Sequence, residues 1–293
     1  MSSTTEDKVR HLPCWSGTPK LERLSGGVSN ESFAVTDAKG RWVARVGVDY
    51  PFHHVFRDRE LIVSRAAHAA GLSPEILYGE GNAIVLRFIE GKTFGESDVR
   101  ANREACVDLL RTCHRVVAQH VTGPGAIFWV FHVLRDYCHA LVREGHPFAK
   151  RAPAWVAVAN EMEAEQEPLP IVFGHHDLLP TNFIDDGRRL WLIDWEYGAF
   201  GTAMFDLANL AANNSFGPDE ERDALERYFE RPVDARLERS YDAMKVASAL
   251  REALWGLISE VYLKTPGIDY RQYAENQFTR YDAVLAAYRQ KHG

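Results

Sequence analysis

The chain has 293 residues, of which 46% are hydrophobic and 26% charged, and a formal net charge of −7. That is enough for one large domain or two lobes with a substantial core, and the balance is that of a globular protein. The charge argues against a nucleic-acid surface, which needs clustered Lys and Arg, and no apolar run approaches the roughly 20 residues of a membrane helix, so no membrane insertion is expected.

The first stretch, "MSSTTEDKVRHLP", has no apolar core and no cleavage signal, and reads as a frayed N-terminus. "KLERL", "ESFAVT" and "RWVARVG" alternate apolar and polar residues over short spans, which predicts three strands, with a hairpin turn at Ala38–Gly40. "FRDRELIVSRAAHAAGL" changes period and predicts a helix ending at Gly71. "EILYG" and "AIVLRFI" return to strand character.

After "EGKTF" the pattern is mostly helical: Asp98–His114, Phe131–Val142, Trp155–Glu165, Met204–Ala212, Pro218–Phe229, Arg236–Leu263 and Tyr270–Tyr288. The exception is 171–193, where "IVF", "FI" and "LWLI" read as small strands joined by loops. There is no internal repeat. The pattern implies a small β-rich lobe over 1–90, a connector near 88–92 and a larger helical lobe over 91–293, with the ligand cleft between them. Cys14, Cys106, Cys113 and Cys138 form no C-x-x-C pair, which fits a reducing, cytoplasmic setting and excludes a disulfide framework.

The chemistry concentrates in "VFGHHDLLPTNFI", Val172–Ile184. Asp177 follows a short strand, Asn182 comes five residues later, and Asp194 in "LIDWEYG" ends another strand. Each alone reads as a turn or cap residue. The ordered set H-x-D-x-x-x-x-N followed by Asp supplies the parts of a phosphoryl-transfer site: a carboxylate to accept a hydroxyl proton, and an amide and a carboxylate oxygen for Mg²⁺.

"HHDLLPTN" followed by "LIDWEYGAFGTAMFDLANL" resembles the choline/ethanolamine kinase branch of the aminoglycoside phosphotransferase-like kinases. The resemblance extends from about Leu21 to Tyr288 and is strongest over 172–210. It implies an α+β, bilobal, protein-kinase-like fold, with a small antiparallel-sheet N-terminal lobe and a larger, mainly helical C-terminal lobe. It also implies ATP and Mg²⁺ as cofactors. Asp177 then matches the catalytic base, Asn182 and Asp194 the metal ligands, and Glu196 a ligand for a second metal or a water. Asp206 matches a residue that fixes the catalytic loop, His175 a scaffold histidine, and His176 a position with no assigned role.

In the N-terminal part, Gly26, Gly27, Ser29 and Asn30 match the nucleotide loop, where glycines let backbone N–H groups approach phosphates. Arg45 matches the strand residue that neutralises phosphate, Glu60 is its candidate partner, and Arg87, Phe88 and Ile89 match the adenine-binding connector. In the C-terminal part, Trp255 matches a wall of the choline pocket, and Tyr197, Tyr262 and Tyr273 are further candidates. Glu252 and Glu260 are candidate partners for an ammonium or else surface charges. The chain departs from the family's W-G-L-W at Ile258, which removes one aromatic wall and leaves choline, ethanolamine or another amino alcohol as acceptor. Thiamine or an aminoglycoside is the alternative acceptor within the fold, and a non-catalytic nucleotide-binding module the alternative outside it. A protein substrate is disfavoured, because "EYGAFGTAMFD" leaves no room for a long activation loop. An exposed face of the small lobe or of the C-terminal helices is available for a homodimer.

Overall fold

The computed structural model describes residues 4–24, 30–263, 265 and 267–293. Gly26, Gly27 and Ser29 lie outside the described residues.

The small lobe is built on a five-stranded antiparallel sheet of β1 (Lys20–Arg23), β2 (Asn30–Asp37), β3 (Gly40–Gly47), β4 (Ile76–Glu80) and β5 (Ala83–Arg87), in the order β1-β2-β3-β5-β4. The β2–β3 turn is tight because the Asp37 carboxylate accepts hydrogen bonds from the Lys39 and Gly40 N–H groups. One face of the sheet carries a small core of Phe33, Val35, Trp42, Ala44 and Val85. This core is closed by Val9 of helix α1 (Thr5–Arg10), so the segment expected to fray is a capped helix. Its cap is Thr4, whose hydroxyl accepts from the Asp7 N–H while Asp7 reaches back to the Thr4 backbone. Helix α2 (Arg57–Ala69) joins β3 to β4, and its Val63, Ala66 and Ala67 belong to the core of the large lobe.

The large lobe is mainly helical. The predicted helix over 98–114 is two helices, α3 (Glu96–Ala101) and α4 (Arg103–Val116), broken at Asn102, whose side chain donates to the Asp98 carbonyl. Then come α5 (Val130–Arg143), α6 (Ala152–Ala164), α7 (Ala203–Asn213), α8 (Pro218–Phe229), α9 (Ala235–Tyr262) and α10 (Tyr270–His292). The short strands are β6 (Lys92–Thr93), β7 (Ile171–Gly174), β8 (Phe183–Asp185), β9 (Leu190–Leu192) and β10 (Ala199–Thr202). They form a three-stranded sheet β6-β8-β9 and a pair β10-β7. The sequence pattern missed β10, and β6, which at two residues is too short to carry one.

Helix α9 is the axis of the lobe, buried on most sides against α5, α6, α7 and α10. Small residues permit this. At Gly256 an added Cβ would lie 2.9 Å from the Ala274 Cβ, so α9 and α10 cross too closely for a side chain there. Among the described residues no helix is long and apolar enough to cross a membrane. The four cysteines are unpaired thiols.

Candidate active site

The loop between β7 and β8 carries His175, His176, Asp177 and Asn182, and Asp206 in the first turn of α7 organises it. The fully buried Asp206 carboxylate accepts the His175 N–H at 2.8 Å and the His176 N–H at 2.7 Å. It also contacts His114 Nε2 at 2.9 Å, and His114 Nδ1 meets the Tyr228 hydroxyl at 2.7 Å. Burial pushes the Asp206 carboxyl up, but the His176 and His114 side chains outweigh it and hold the group well below the usual carboxylate range. Two amides fix the next residue: the Leu178 N–H donates to Asn209 Oδ1 at 2.7 Å, and Asn214 donates to the Leu178 carbonyl at 3.2 Å.

Both histidines are neutral spacers. His175 Nε2 donates to the Ile193 carbonyl at 2.9 Å, which leaves Nδ1 to accept the Asp177 N–H at 3.3 Å. That chain ties the loop to the strand leading into Asp194. His176, which had no assigned role, has a left-handed backbone (φ 64) and a fully buried ring stacked on Phe128 at 4.4 Å. Its Nδ1 donates to the Tyr197 carbonyl at 3.1 Å. The ring fits only because residues 174 and 201 are glycines, where a Cβ would lie 2.6 and 2.7 Å from His176 Nε2. Burial lowers its pKa to about 4.

Asp177 is half-buried at the end of this scaffold. Burial raises its carboxyl well above the usual range; Arg251 opposes the shift, and Asp194, Glu196 and Glu252 add to it. A carboxylate of raised basicity is suited to receive a proton. Asn182 donates its Nδ2 to the Asp177 carbonyl at 2.8 Å, which orients the amide.

On the small-lobe side a ladder of alternating charges runs inward. Arg45 Nη2 meets Asp194 Oδ1 at 2.6 Å, and Arg45 Nη1 meets Glu60 at 3.2 Å. The other Glu60 oxygen takes Arg57 at 2.6 Å, and Arg57 reaches Glu196 at 3.0 Å. Asn30 Nδ2 also points at Glu196, at 3.5 Å. Glu60 and Arg57 are 2% and 3% exposed, so neither charge is screened by solvent and each depends on the next. The Arg45–Glu60 contact is the one the sequence suggested. Arg57 was missed, because an arginine in the first turn of a helix reads as a surface charge. Glu196 is pushed up to about 7 by burial and by Asp194 and Glu60, against the pull of Arg45 and Arg57. Asp194 has a left-handed backbone (φ 68), a conformation Asp tolerates better than most residues.

Between the lobes, the Arg87 N–H donates to the Glu75 carbonyl at 2.8 Å, and the Phe88 N–H donates to the Arg41 carbonyl at 3.0 Å. The Arg87 side chain lies outward, paired with Glu75 and over the Trp42 ring.

On the other side of Asp177, aromatic and charged groups converge from α9 and α10. Trp255 Nε1 donates to the buried Tyr197 hydroxyl at 3.2 Å. The Trp255 ring stacks on His53 at 5.0 Å and meets the Tyr273 edge at 5.7 Å. Tyr273 donates its hydroxyl to Glu252, which also pairs with Arg251 at 3.1 Å. Arg251 lies over the Tyr197 ring at 4.8 Å. Tyr197, Trp255 and Tyr273 are thus brought together. Tyr262 is two turns further along α9, stacked on Phe52 at 4.8 Å with its hydroxyl donated to Glu144. Glu260 is taken by Arg271 and His146. Ile258 is fully buried, so it fills the core and walls no cleft. Arg251 and His53 were not found from the sequence; neither carries a local signature.

Among the described residues no three His, Cys, Asp or Glu side chains are grouped to hold a metal ion. The donors that do fit a hard cation are the Asn182 amide oxygen and Asp194, which keeps one carboxylate oxygen beyond Arg45 and is 29% exposed at the side chain. Such a sparse oxygen set suits Mg²⁺, which takes its remaining ligands from phosphates and water.

Residues 20–245 match the model of the phosphotransferase enzyme family. The protein "Probable ethanolamine kinase" of Arabidopsis thaliana is 28% identical over 273 residues, covering 81% of this chain and 72% of that one. A choline/ethanolamine kinase family protein from Mesorhizobium loti superposes with a TM-score of 0.74 at 26% identity, over 96% of this chain and 95% of that one. The choline kinase LicA of Streptococcus pneumoniae, at 22% identity, shares the fold with a TM-score of 0.73 over 92% of this chain and 94% of that one. The α+β class read from the strand and helix periods holds, and with a family model matched over well more than half of its length, the chain belongs to the phosphotransferase enzyme family.

Proposed function

We propose that the protein transfers the γ-phosphate of ATP to the hydroxyl of an amino alcohol, choline or ethanolamine being the acceptors its relatives' names point to. The observation that carries this reading is the position of Asp177. Its electrostatic partners include Asp194 on the phosphate side and Arg251 and Glu252 on the aromatic side.

The acceptor hydroxyl would lie against Asp177, which takes its proton as the oxygen–phosphorus bond forms and the bond to ADP breaks. Arg45 would offset charge on the transferring phosphoryl group, its guanidinium held by Asp194 and Glu60. Asn182 and Asp194 would hold Mg²⁺, which would offset the charge that develops on the phosphates. Glu196, with Arg57 on one oxygen, would act through a water or a second metal. Asn30, with Gly26, Gly27 and Ser29, would belong to the residues that approach the nucleotide. Since the Arg87 and Phe88 N–H groups are committed to the chain, these two residues would meet adenine only through their carbonyls, with the backbone groups of Ile89 beside them. Trp255, Tyr197 and Tyr273 would wall the acceptor, with Tyr262 at the outer rim. Four free thiols accord with a cytoplasmic setting.

The test is ADP release with Mg-ATP and choline, ethanolamine, thiamine or an aminoglycoside, each beside an Asp177→Asn variant. Asp177-dependent turnover with an amino alcohol supports the reading. Selective turnover of thiamine or the aminoglycoside keeps the phosphotransfer and overturns the acceptor. Tight ATP binding without transfer to any of the four supports a nucleotide-binding module.

A further inference from the structure

Three features of the acceptor side bear on which cation it selects. The first concerns the ring faces. A quaternary ammonium has no N–H and is held by several open aromatic faces together with diffuse negative charge. Here one face of Tyr197 is covered by the Arg251 guanidinium at 4.8 Å. One face of Trp255 is covered by His53, stacked at 5.0 Å and 16°. Tyr273 meets Trp255 edge-on.

The second is the charge. Arg251 pairs with Glu252 at 3.1 Å, so the carboxylate nearest the aromatic wall is already neutralised at long range. What remains is short-range hydrogen-bonding capacity. A carboxylate has about four acceptor positions. Arg251 takes one at Oε2 and the Tyr273 hydroxyl one at Oε1, and the Glu252 side chain is 24% exposed while that of Arg251 is 4% exposed. The carboxylate therefore keeps accessible acceptor positions while its cation is buried.

The third is the setting of the guanidinium. Arg251 Nε and Nη2 are buried without a hydrogen-bond partner, and its contacts are the Tyr197 ring and the Glu252 carboxylate, so its position is coupled to those two groups.

We infer that Arg251 is a specificity-determining residue that makes the acceptor site select an ammonium bearing N–H groups over a quaternary one. It does so by covering the Tyr197 face and presenting Glu252 as a fixed hydrogen-bond acceptor. Arg251 acts through Glu252 and Tyr197 and is a positioning residue. The inference rests on the amino-alcohol kinase reading above.

The experiment is steady-state kinetics of the full chain with ethanolamine, N-methylethanolamine, N,N-dimethylethanolamine and choline at saturating Mg-ATP. Along that series the N–H donors on the cation fall stepwise to none. A hydrogen bond to a charged group is worth about 1.5–3 kcal/mol, so kcat/KM should drop roughly 10- to 100-fold from ethanolamine to choline, mainly through KM. The Arg251→Met variant opens the Tyr197 face and frees the Glu252 charge, and should collapse that ratio. Arg251→Lys, which keeps the ion pair, should restore most of it. An unchanged KM for ATP in both variants reports an intact fold. Choline used as well as or better than ethanolamine by the unmodified protein overturns the inference and leaves the kinase reading standing, as does an Arg251→Met ratio equal to that of the unmodified protein. No turnover of any member of the series overturns both.

Discussion

Glu60 is the most exacting position to perturb, because both of its oxygens are committed to arginines and it is 2% exposed. Glu60→Gln removes the carboxylate that bridges Arg45, at 3.2 Å, and Arg57, at 2.6 Å, and turns an N–H toward one of them. Deleting one member of a buried charge network costs about 3–5 kcal/mol, since the partner charges remain desolvated. For 293 residues unfolding as a unit, an entropy of about 2.1 cal/mol/K per residue gives roughly 0.6 kcal/mol/K, so the melting temperature should fall by about 5–8 °C. Arg45 keeps Asp194 but loses its second anchor, and kcat/KM for ATP should fall by roughly 10- to 100-fold. Differential scanning calorimetry and ADP-release kinetics give the two numbers. A Glu60→Gln protein that melts within about 1 °C of the parent and keeps its KM for ATP would refute the ladder as an energetic unit.

Asp177→Asn should lower kcat by about 10²- to 10⁴-fold with the KM for ATP little changed, and a loss below about tenfold in ADP release would remove Asp177 as the base. Trp255→Ala should raise the amino-alcohol KM by roughly 2- to 30-fold and leave the KM for ATP alone; equal effects on both would mean the indole only packs α9. His176 titrates at about 4 when folded against 6.5 for the free side chain, because burial disfavours its charge. Its folded form binds fewer protons, so the associated stability is complete above pH 6.5 and is lost as pH falls toward 4, by about 3 kcal/mol. His176→Asn, which tolerates the left-handed backbone, should flatten the fall in denaturant midpoint between pH 7 and pH 5, and an unchanged slope would move that acid sensitivity to other groups.

What could be read in advance was whatever is local. The switch from period 2 to period 3.6 at Arg57 marked α2, and the H-x-D-x-x-x-x-N spacing marked the loop that Asp206 organises. The break at Asn102 was hidden because apolar residues continue in helical phase across it, and only a side chain bonding back to the Asp98 carbonyl ends α3. Arg57 and Arg251 were hidden for a different reason. A buried arginine is defined by partners far along the chain, Glu196 for the first and Tyr197 for the second, and its own neighbourhood in sequence looks like any solvated helix face. Glu252 stood out only as a charge near Trp255, and its commitment to Arg251 and Tyr273 is a property of the α9–α10 crossing.

The two halves of the site are joined by one short segment of the small lobe. Arg45 stands near the end of β3, eight residues before His53, and Arg57 opens α2 four residues after it. Between them Pro51–His53 crosses to the large lobe, where His53 bonds the Tyr137 and Ser259 hydroxyls at 3.0 and 2.9 Å and stacks on Trp255. His54 adds a contact to Asp136 at 2.8 Å. Burial, with Arg251 and His54 adding to it, holds His53 well below the usual histidine range, so the ring against Trp255 is neutral and does not repel a cationic acceptor. The same few residues therefore fix the guanidiniums proposed to face the phosphates and the indole proposed to face the acceptor. A rigid rotation of the small lobe would have to break the His53 contacts or carry Trp255 with it. Lobe motion in this chain should thus bend the links beyond residue 87, while the segment from Arg45 to Arg57 moves as one piece with the acceptor wall.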